Sequence, residues 1–386
     1  METAWIVAAR RTPFTRSGKG ALAGARPDDL LATLFRDLTS TLPGTLERLD
    51  EVVVGCAYPE AEQGRNAARL IALNAGVPVR VPAMTLTRMC ASSLEATAVA
   101  AAKVRLGEAS LVLVGGMESM TRIPMGGVKP SPNPGLMERK PDAYIAMGLT
   151  AERVAREFGI ARADQDAWTL RSHQRAAAAR ALGVFAEEIL PVEGALDGAT
   201  VLVREDDALR PDTSLEKLAG LKPVFDESGT VTAGNACPTS DGASALLVAS
   251  ARAVRELGLK PLGRFVSYAV GGVEPAIMGI GPVEAVPKAL ARAGIALDAV
   301  DRIELNEAFA SQVIAVVRAL GFAEERTNVN GGALALGHPL GATGARLVGT
   351  LLRQLKREGL RHGLATLCVG GGMGAAMVLE NASEVT

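Results

Sequence analysis

Cysteine and histidine are scarce in this chain of 386 residues, at four and three copies, and aromatic side chains make up only 3%. The cysteines, Cys56, Cys90, Cys237 and Cys368, stand 34, 147 and 131 residues apart. That spacing provides no disulfide framework and no Cys-x-x-Cys knuckle, and three scattered histidines supply no zinc-ligand pattern. An excess of one charge is missing too. Basic side chains number 41 against 42 acidic ones, so no global field favours nucleic acid or an anionic membrane. No apolar run approaches the ~20 residues needed to span a bilayer. The opening METAWIVAARRTPF places its arginines after a short apolar stretch, the wrong order for a secretory signal. The closing Ser383-Glu384-Val385-Thr386 is not a peroxisomal address. The expectation is a soluble cytoplasmic protein with reduced thiols.

Small and apolar residues are what the chain does contain. Hydrophobic residues reach 48% and glycines number 42, a composition for compact folding rather than disorder. The length favours two domains or a duplicated unit. Short β-branched or Leu-rich runs at 51–55, 111–114 and 365–369 read as buried strands, and the Ala-rich stretches between them as helices. The class is therefore α/β. A repeat sharpens this reading: Leu49-Asp50-Glu51-Val52-Val53-Val54 is similar to Val300-Asp301-Arg302-Ile303-Glu304-Leu305. Forty residues beyond each aspartate a small-residue helix opens, at Cys90 and at Gly341, and each helix feeds a strand that is expected to end in Gly-Gly-Met, at 115–117 and 371–373.

Between the copies, Pro124, Pro130, Pro132, Pro134 and Pro141 crowd into eighteen residues and predict an excursion free of helix and central strand. Helices are expected over about 150–158 and 163–182, the second capped by Asp164 and stopped by Gly183. The excursion spans roughly 120–239, and long ordered excursions are commonly functional.

Four segments carry chemistry. Cys90 opens a helix with six alanines between Ala91 and Ala102, too apolar for a surface position. A helix N-terminus favours a thiolate there, although a small buried core cysteine fits the segment equally. His338 lies in Gly331–Gly344, GGALALGHPLGATG, where flanking Gly337 and Pro339 fix the backbone and leave the imidazole unobstructed. The segment has neither the Lys-Ser/Thr of a P-loop nor the spacing of a dinucleotide site. Cys368 ends a strand ahead of Val369-Gly370-Gly371-Gly372-Met373-Gly374, where consecutive glycines expose backbone N–H groups of the kind that bind an oxyanion. Asn306-Glu307-Ala308-Phe309-Ala310 follows the strand ending at Leu305 and sets an amide and a carboxylate at its exit, unless Asn306 only caps the next helix.

Together these segments, in this order and over the whole chain, resemble the thiolase family. The resemblance implies a duplicated thiolase fold, two βα cores in a layered αβαβα arrangement with an inserted loop domain. Residues 1–119 with 240–260 would form the first core, 120–239 the coenzyme A-binding loop domain, and 261–386 the second core. It further implies that Cys90 accepts the acyl group, that His338 takes its proton, and that Cys368 moves a proton at the α-carbon of the acetyl-CoA unit. Asn306 would hold a water that forms one oxyanion hole with His338, and the N–H groups of Cys90 and Gly370 would form the other. Met147, Arg210, Phe225, Ala233, Cys237, Ala308 and Phe309 would face coenzyme A, with Arg210 near its nucleotide end. Coenzyme A and acyl-CoA enter as substrates, with no permanently bound cofactor.

Ala146 stands where acetoacetyl-forming members often carry histidine, and Cys237 where serine is common. The favoured reading is accordingly a degradative thiolase that cleaves 3-ketoacyl-CoA. The alternatives are an acetoacetyl-CoA thiolase running condensation and a non-catalytic acyl-CoA- or lipid-binding protein on the same fold, which would be expected to lack a reactive position. A ketoacyl synthase would carry histidine where Asn306 and Cys368 stand. The family also implies a homodimer or dimer of dimers and leaves room for a hydratase/dehydrogenase partner subunit. Cys56 is expected to pack near the nucleophile, and His173 and His362 to lie on the surface.

Overall fold

The computed structural model describes residues 2–382, so the closing segment 383–386 lies outside the described residues. The first half contributes strands β1 (Ala4–Arg11), β2 (Thr15–Arg16), β3 (Glu51–Cys56), β4 (Ala83–Leu86) and β5 (Leu111–Ser119). A small hairpin, β6 (Val192–Leu196) and β7 (Ala199–Val203), belongs to the excursion. Then come β8 (Ser240–Ser250), β9 (Gly263–Gly272), β10 (Arg302–Leu305), β11 (His362–Val369) and β12 (Met373–Asn381). The main sheet runs β10-β11-β12-β9-β1-β8-β5-β3-β4.

That path is one module written twice. β3 pairs parallel with β5, β5 antiparallel with β8, and β8 antiparallel with β1. β10, β11, β12 and β9 repeat the same three pairings. The modules meet where Trp5 and Ile6 pair with Arg264 and Gly263. Their registers coincide: Asp50 accepts from the amides of Ser110 and Leu111, 60 and 61 residues on, and Asp301 accepts from those of Arg361 and His362 at the same separations. The repeated aspartate is a clasp between the first and second parallel strands of each module.

This register corrects one expected correspondence. Gly115-Gly116-Met117 lies inside β5, whereas Gly371 and Gly372 turn the chain with φ of 88° and 86° and Met373 opens β12. Counted from the two aspartates, Met117 corresponds to Cys368 rather than to Met373.

Helices Pro27–Thr41 and Ala67–Asn74 cover one outer face with Leu31, Phe35 and Ile71 against Val52, Val54 and Leu113. Helices Gly281–Ala293 and Ala310–Leu320 cover the other with Ala285, Val286, Val313 and Val316 against Leu364 and Val378. Helices Ser92–Leu106 and Leu340–Glu358 fill the middle, their Leu94, Leu347 and Leu351 packing among Val112, Leu246 and Leu367. The layers are αβαβα. Small residues dominate the middle because backbones nearly touch: a Cβ on Gly344 would lie 2.3 Å from the Leu94 amide nitrogen. No helix among the described residues is long and apolar enough to cross a membrane.

The chain leaves the sheet at Ser119 and rejoins it at Ser240. In between, helix Arg162–Ala181 docks on the second module through buried Glu307, which accepts from Trp168 Nε1 at 3.0 Å, Ser172 Oγ at 2.6 Å and Asn328 Nδ2 at 2.9 Å. Two local expectations are corrected. The Pro-rich stretch does hold a helix, Pro134–Arg139, because Pro134 occupies its first turn, where no amide partner is needed, and Asn133 accepts from the Leu136 amide. Asp164 does not cap the next helix. It sits inside the first turn and pairs with Arg318, while Ala161 holds the N-cap and Gly183 follows the end at φ 71°.

Candidate active site

Cys90 lies in a single 3₁₀ turn, Met89–Ala91, that leads into helix Ser92–Leu106. The turn is sharp because Met89 adopts φ 44°, a left-handed conformation costly for a side chain of that size. Ser92 braces it, accepting from the Arg88 amide at 3.0 Å and donating to the Met89 carbonyl at 2.6 Å. Nothing in Thr87-Arg88-Met89 signals this conformation in advance. The helix terminus does not by itself yield a thiolate. Burial pushes the Cys90 thiol up to about 11, the Gly370 N–H pulls it down, and the Glu118 carboxylate pushes it up again. A base is therefore required.

His338 has the geometry and protonation of a base. It is buried, Nδ1 lies 2.6 Å from Thr343 Oγ1, and Nε2 lies 3.3 Å from Asn306 Nδ2. Thr343 spends its one hydroxyl hydrogen on the Pro339 carbonyl at 3.0 Å, so Nδ1–H donates to Oγ1 and Nε2 keeps its lone pair. Burial, then the charge of Arg346, lowers the imidazole pKa to about 3 and keeps the ring neutral. Asn306 holds its place through its amide on the Thr366 carbonyl, and its Oδ1 is buried without a partner among the described residues.

Cys368, at the end of β11, is buried, and burial followed by the neighbouring Cys90 and Cys237 sulfurs drives its thiol far above the ordinary value. Cys237 is shifted the same way by burial, then Cys90 and Glu307. The three thiols thus share one site, whereas Cys56 lies behind it in the core, receiving Gln63 Nε2 on its sulfur at 3.2 Å. Gly370 lies beside Met147, whose sulfur would be 3.6 Å from a Cβ placed there. Phe309 meets Phe225 edge-on at 6.2 Å, and the Cys237 amide donates to the Ala308 carbonyl. Phe225, Ala233 and Arg210 are exposed on the excursion.

Two family-model matches tile the chain: "Thiolase, N-terminal domain" over residues 4–252 and "Thiolase, C-terminal domain" over 259–381. The chain belongs to the thiolase family. It is 48% identical to a 3-ketoacyl-CoA thiolase of Bacillus subtilis, covering 98% of this chain and 100% of the relative. It is 47% identical to a beta-ketoadipyl-CoA thiolase of Pseudomonas putida, again over 98% and 100%. The crystal structure of human mitochondrial 3-ketoacyl-CoA thiolase superposes with a TM-score of 0.91 at 37% identity, covering 99% of each chain.

The thiolase site also contains residues that its motifs do not announce. Glu118 is fully buried and accepts from the Ala57 amide at 2.8 Å, Gln63 Nε2 at 2.7 Å and the Gly341 amide at 2.9 Å, tying the first module to the His338 turn. Its partners come from two segments, 57–63 and the turn at Gly341, both distant from it in sequence, so no local spacing reveals them. Ser240 Oγ accepts from the His338 amide at 3.1 Å.

His173 is not a surface residue. It is 4% exposed, its Nδ1 accepts from the Arg210 amide at 3.2 Å, and burial, then Arg210, lowers its pKa to about 4. The ring lies on the inner side of a helix that only looked polar by composition. His362 begins β11 and is half-buried. His173 stabilises the fold fully above its unfolded pKa, and that contribution is lost as pH falls from about 6.5 toward the folded value. His173→Gln, which keeps an acceptor for the Arg210 amide, should flatten the pH dependence of stability by about one proton, or ~1.4 kcal/mol per pH unit, between pH 4.5 and 6.5. Urea midpoints across that range measure it. An unchanged slope would show that His173 is protonated in the fold.

Proposed function

We propose that this thiolase cleaves 3-ketoacyl-CoA with coenzyme A to give acetyl-CoA and a shortened acyl-CoA through an acyl-Cys90 intermediate. One observation carries the reading: a buried, neutral His338 with Nε2 toward Asn306 stands in a site where Cys90 is near enough to act on both Cys237 and Cys368. His338 takes the Cys90 proton, and the thiolate attacks the 3-keto carbon. The bond between C2 and C3 breaks with its electron pair going to C2, which Cys368 protonates; the proton that left Cys90 then restores Cys368. Coenzyme A gives its thiol proton to His338 and attacks the acyl-Cys90 carbonyl, and the departing Cys90 sulfur takes that proton back. The amides of Cys90 and Gly370 form one oxyanion hole, and His338 with a water on Asn306 forms the other. Each such donor is typically worth ~2.7–4 kcal/mol in the transition state.

By the same reading residues 1–119 with 240–260 and 261–386 are the two cores, and 120–239 is the coenzyme A-binding loop domain. Met147, Phe225, Ala233, Cys237, Ala308 and Phe309 face pantetheine. Exposed Arg210, beside His173, supplies charge toward the nucleotide phosphates. The protein is a soluble, cytoplasmic homodimer or dimer of dimers, with room for a hydratase/dehydrogenase subunit. Support for self-association comes from β4, whose outer edge is unpaired among the described strands, and from Leu70, Leu73 and Val79 nearby, which are 52%, 43% and 78% exposed.

Ala146, exposed ahead of helix Met147–Glu157, supports the degradative subtype over condensation of acetyl units. The test is kcat/KM for thiolysis of 3-ketoacyl-CoA of four, eight and more carbons, with 3-oxoadipyl-CoA alongside. An apolar tunnel gains only ~0.8 kcal/mol per buried CH₂, so broad acceptance is expected. Collapse beyond four carbons would replace this reading with an acetoacetyl-CoA thiolase. A preference confined to 3-oxoadipyl-CoA would move it to the dicarboxylate substrate.

A further inference from the structure

The end of β10 with the following Asn306, and His338 with the helix after it, are joined by two rungs rather than one. The first is Asn306 Nδ2 to His338 Nε2, at 3.3 Å. The second is a buried ion pair, Arg346 Nη1 to Glu304 Oε2 at 2.8 Å, with side chains 1% and 4% exposed. Glu304 and Asn306 are two residues apart on an extended segment, so they face the same way. Thr343, which receives His338 Nδ1, and Arg346 are three apart on helix Leu340–Glu358 and share a face. Both rungs therefore belong to one interface.

Arg346 is a poor clasp by itself. Its Nε and Nη2 are buried without a partner among the described residues, so its charge is matched on one side only. A residue kept only for packing would do better as methionine or leucine. The charged groups facing the pair are few. Glu188, beyond the turn Val184–Glu187, is engaged by Arg11 Nε and Thr350 Oγ1, and Glu307 is engaged by the excursion helix. Burial, and after it both carboxylates, pushes Glu304 up to about 7 against the pull of Arg346. On the His338 side, burial and then Arg346 act on the imidazole.

We propose that Arg346, located by Glu304, is a positioning residue that acts on the reaction through His338: its one-sided buried charge disfavours the imidazolium, so the proton taken from Cys90 is passed on rather than retained. The catalytic consequence rests on the thiolase reading above; the electrostatic one does not. As the base, His338 must empty between half-reactions, and a cation acting on the ring speeds the onward transfer of its proton.

The test reads His338 directly. With three histidines in the chain, selectively labelled imidazole resonances are separable, and a His338→Asn variant assigns one of them. In Arg346→Met, the protonated fraction of His338 at pH 5 should rise about tenfold, and the acid limb of kcat/KM for thiolysis should move upward. Arg346→Lys should keep both near those of the unsubstituted protein. If Arg346→Met fails to fold, Glu304→Gln/Arg346→Met leaves no unpaired buried charge and should show the same rise. No rise in either Met variant, or an equal rise in Arg346→Lys, would overturn the proposal, as would an activity loss identical at every pH. Should the unsubstituted protein lack thiolysis while the His338 titration behaves as expected, the thiolase reading fails and the electrostatic role of Arg346 stands.

Discussion

Cys90→Ala should remove acyl transfer, with thiolysis falling about 10⁴–10⁶-fold, the range expected when an attacking nucleophile is deleted. Incubated with an acyl-CoA and weighed intact, the unsubstituted protein should gain the mass of one acyl group, and the variant none. The size of the effect follows from the site. A thiol near 11 supplies about one thiolate in 10⁴ at neutral pH, so in the proposed mechanism the reaction depends on His338 removing a proton from that one sulfur. Cys368 is deeper, burial and then Cys90 hold its thiol well above the ordinary value, and it cannot stand in. Cys90→Ser should be almost as damaged, because the hydroxyl is a far weaker acid in the same enclosed turn. An acyl adduct that persists in Cys90→Ala and disappears in Cys368→Ala would exchange the two roles. An adduct on neither would end the covalent mechanism. The fold should survive, since the Met89 turn is held by Ser92 and the backbone rather than by the sulfur.

What the sequence discloses about this site depends on how local the determining contacts are. His338 is legible because Gly337 and Pro339, which shape its turn, are its immediate neighbours, and Asp50 and Asp301 announce the duplication because each clasps a strand at a fixed offset. Glu118 is invisible by the same logic: the amides that justify burying it arrive from the loop after β3 and from the second module. The strain at Met89 leaves no trace, because a methionine with φ 44° looks like any other methionine. His173 misleads for another reason. LRSHQRAAAAR reads as a polar surface helix, yet Ser172 and His173 face inward, where Glu307 and the Arg210 amide take up their polar atoms. Polarity within a buried helix face is the signature of a docked excursion. It is distinguished from exposure only by partners far away in sequence.

Cys368→Ala should divide the reaction into its halves. Transfer of an acyl group from acyl-CoA to Cys90 needs His338 and the Gly370 amide, neither of which the variant removes, so acylation should stay within about tenfold of the unsubstituted rate. Breaking or forming the carbon–carbon bond needs a proton donor or acceptor at the acetyl α-carbon. That step should fall by about 10²–10⁴, the usual contribution of a positioned acid or base. Two measurements separate the halves: the mass of the acyl-enzyme after brief mixing with acyl-CoA, and loss of methyl protons from acetyl-CoA in D₂O. The first should persist and the second should vanish. Cys237→Ser is the control, since its sulfur lies in the same site but the Cys237 amide, not the thiol, makes the contact with Ala308; both half-reactions should survive. Equal losses of both halves in Cys368→Ala would make the thiol a packing residue beneath the nucleophile. Proton exchange lost in Cys237→Ser but retained in Cys368→Ala would transfer the second role to Cys237. The geometry argues for Cys368 because it lies near the end of β11, held in the sheet in register opposite Gly374 of β12. Cys237 lies on the excursion, attached to the core through Ala308 and Phe309. An acid that must meet one carbon atom belongs on the more rigid support.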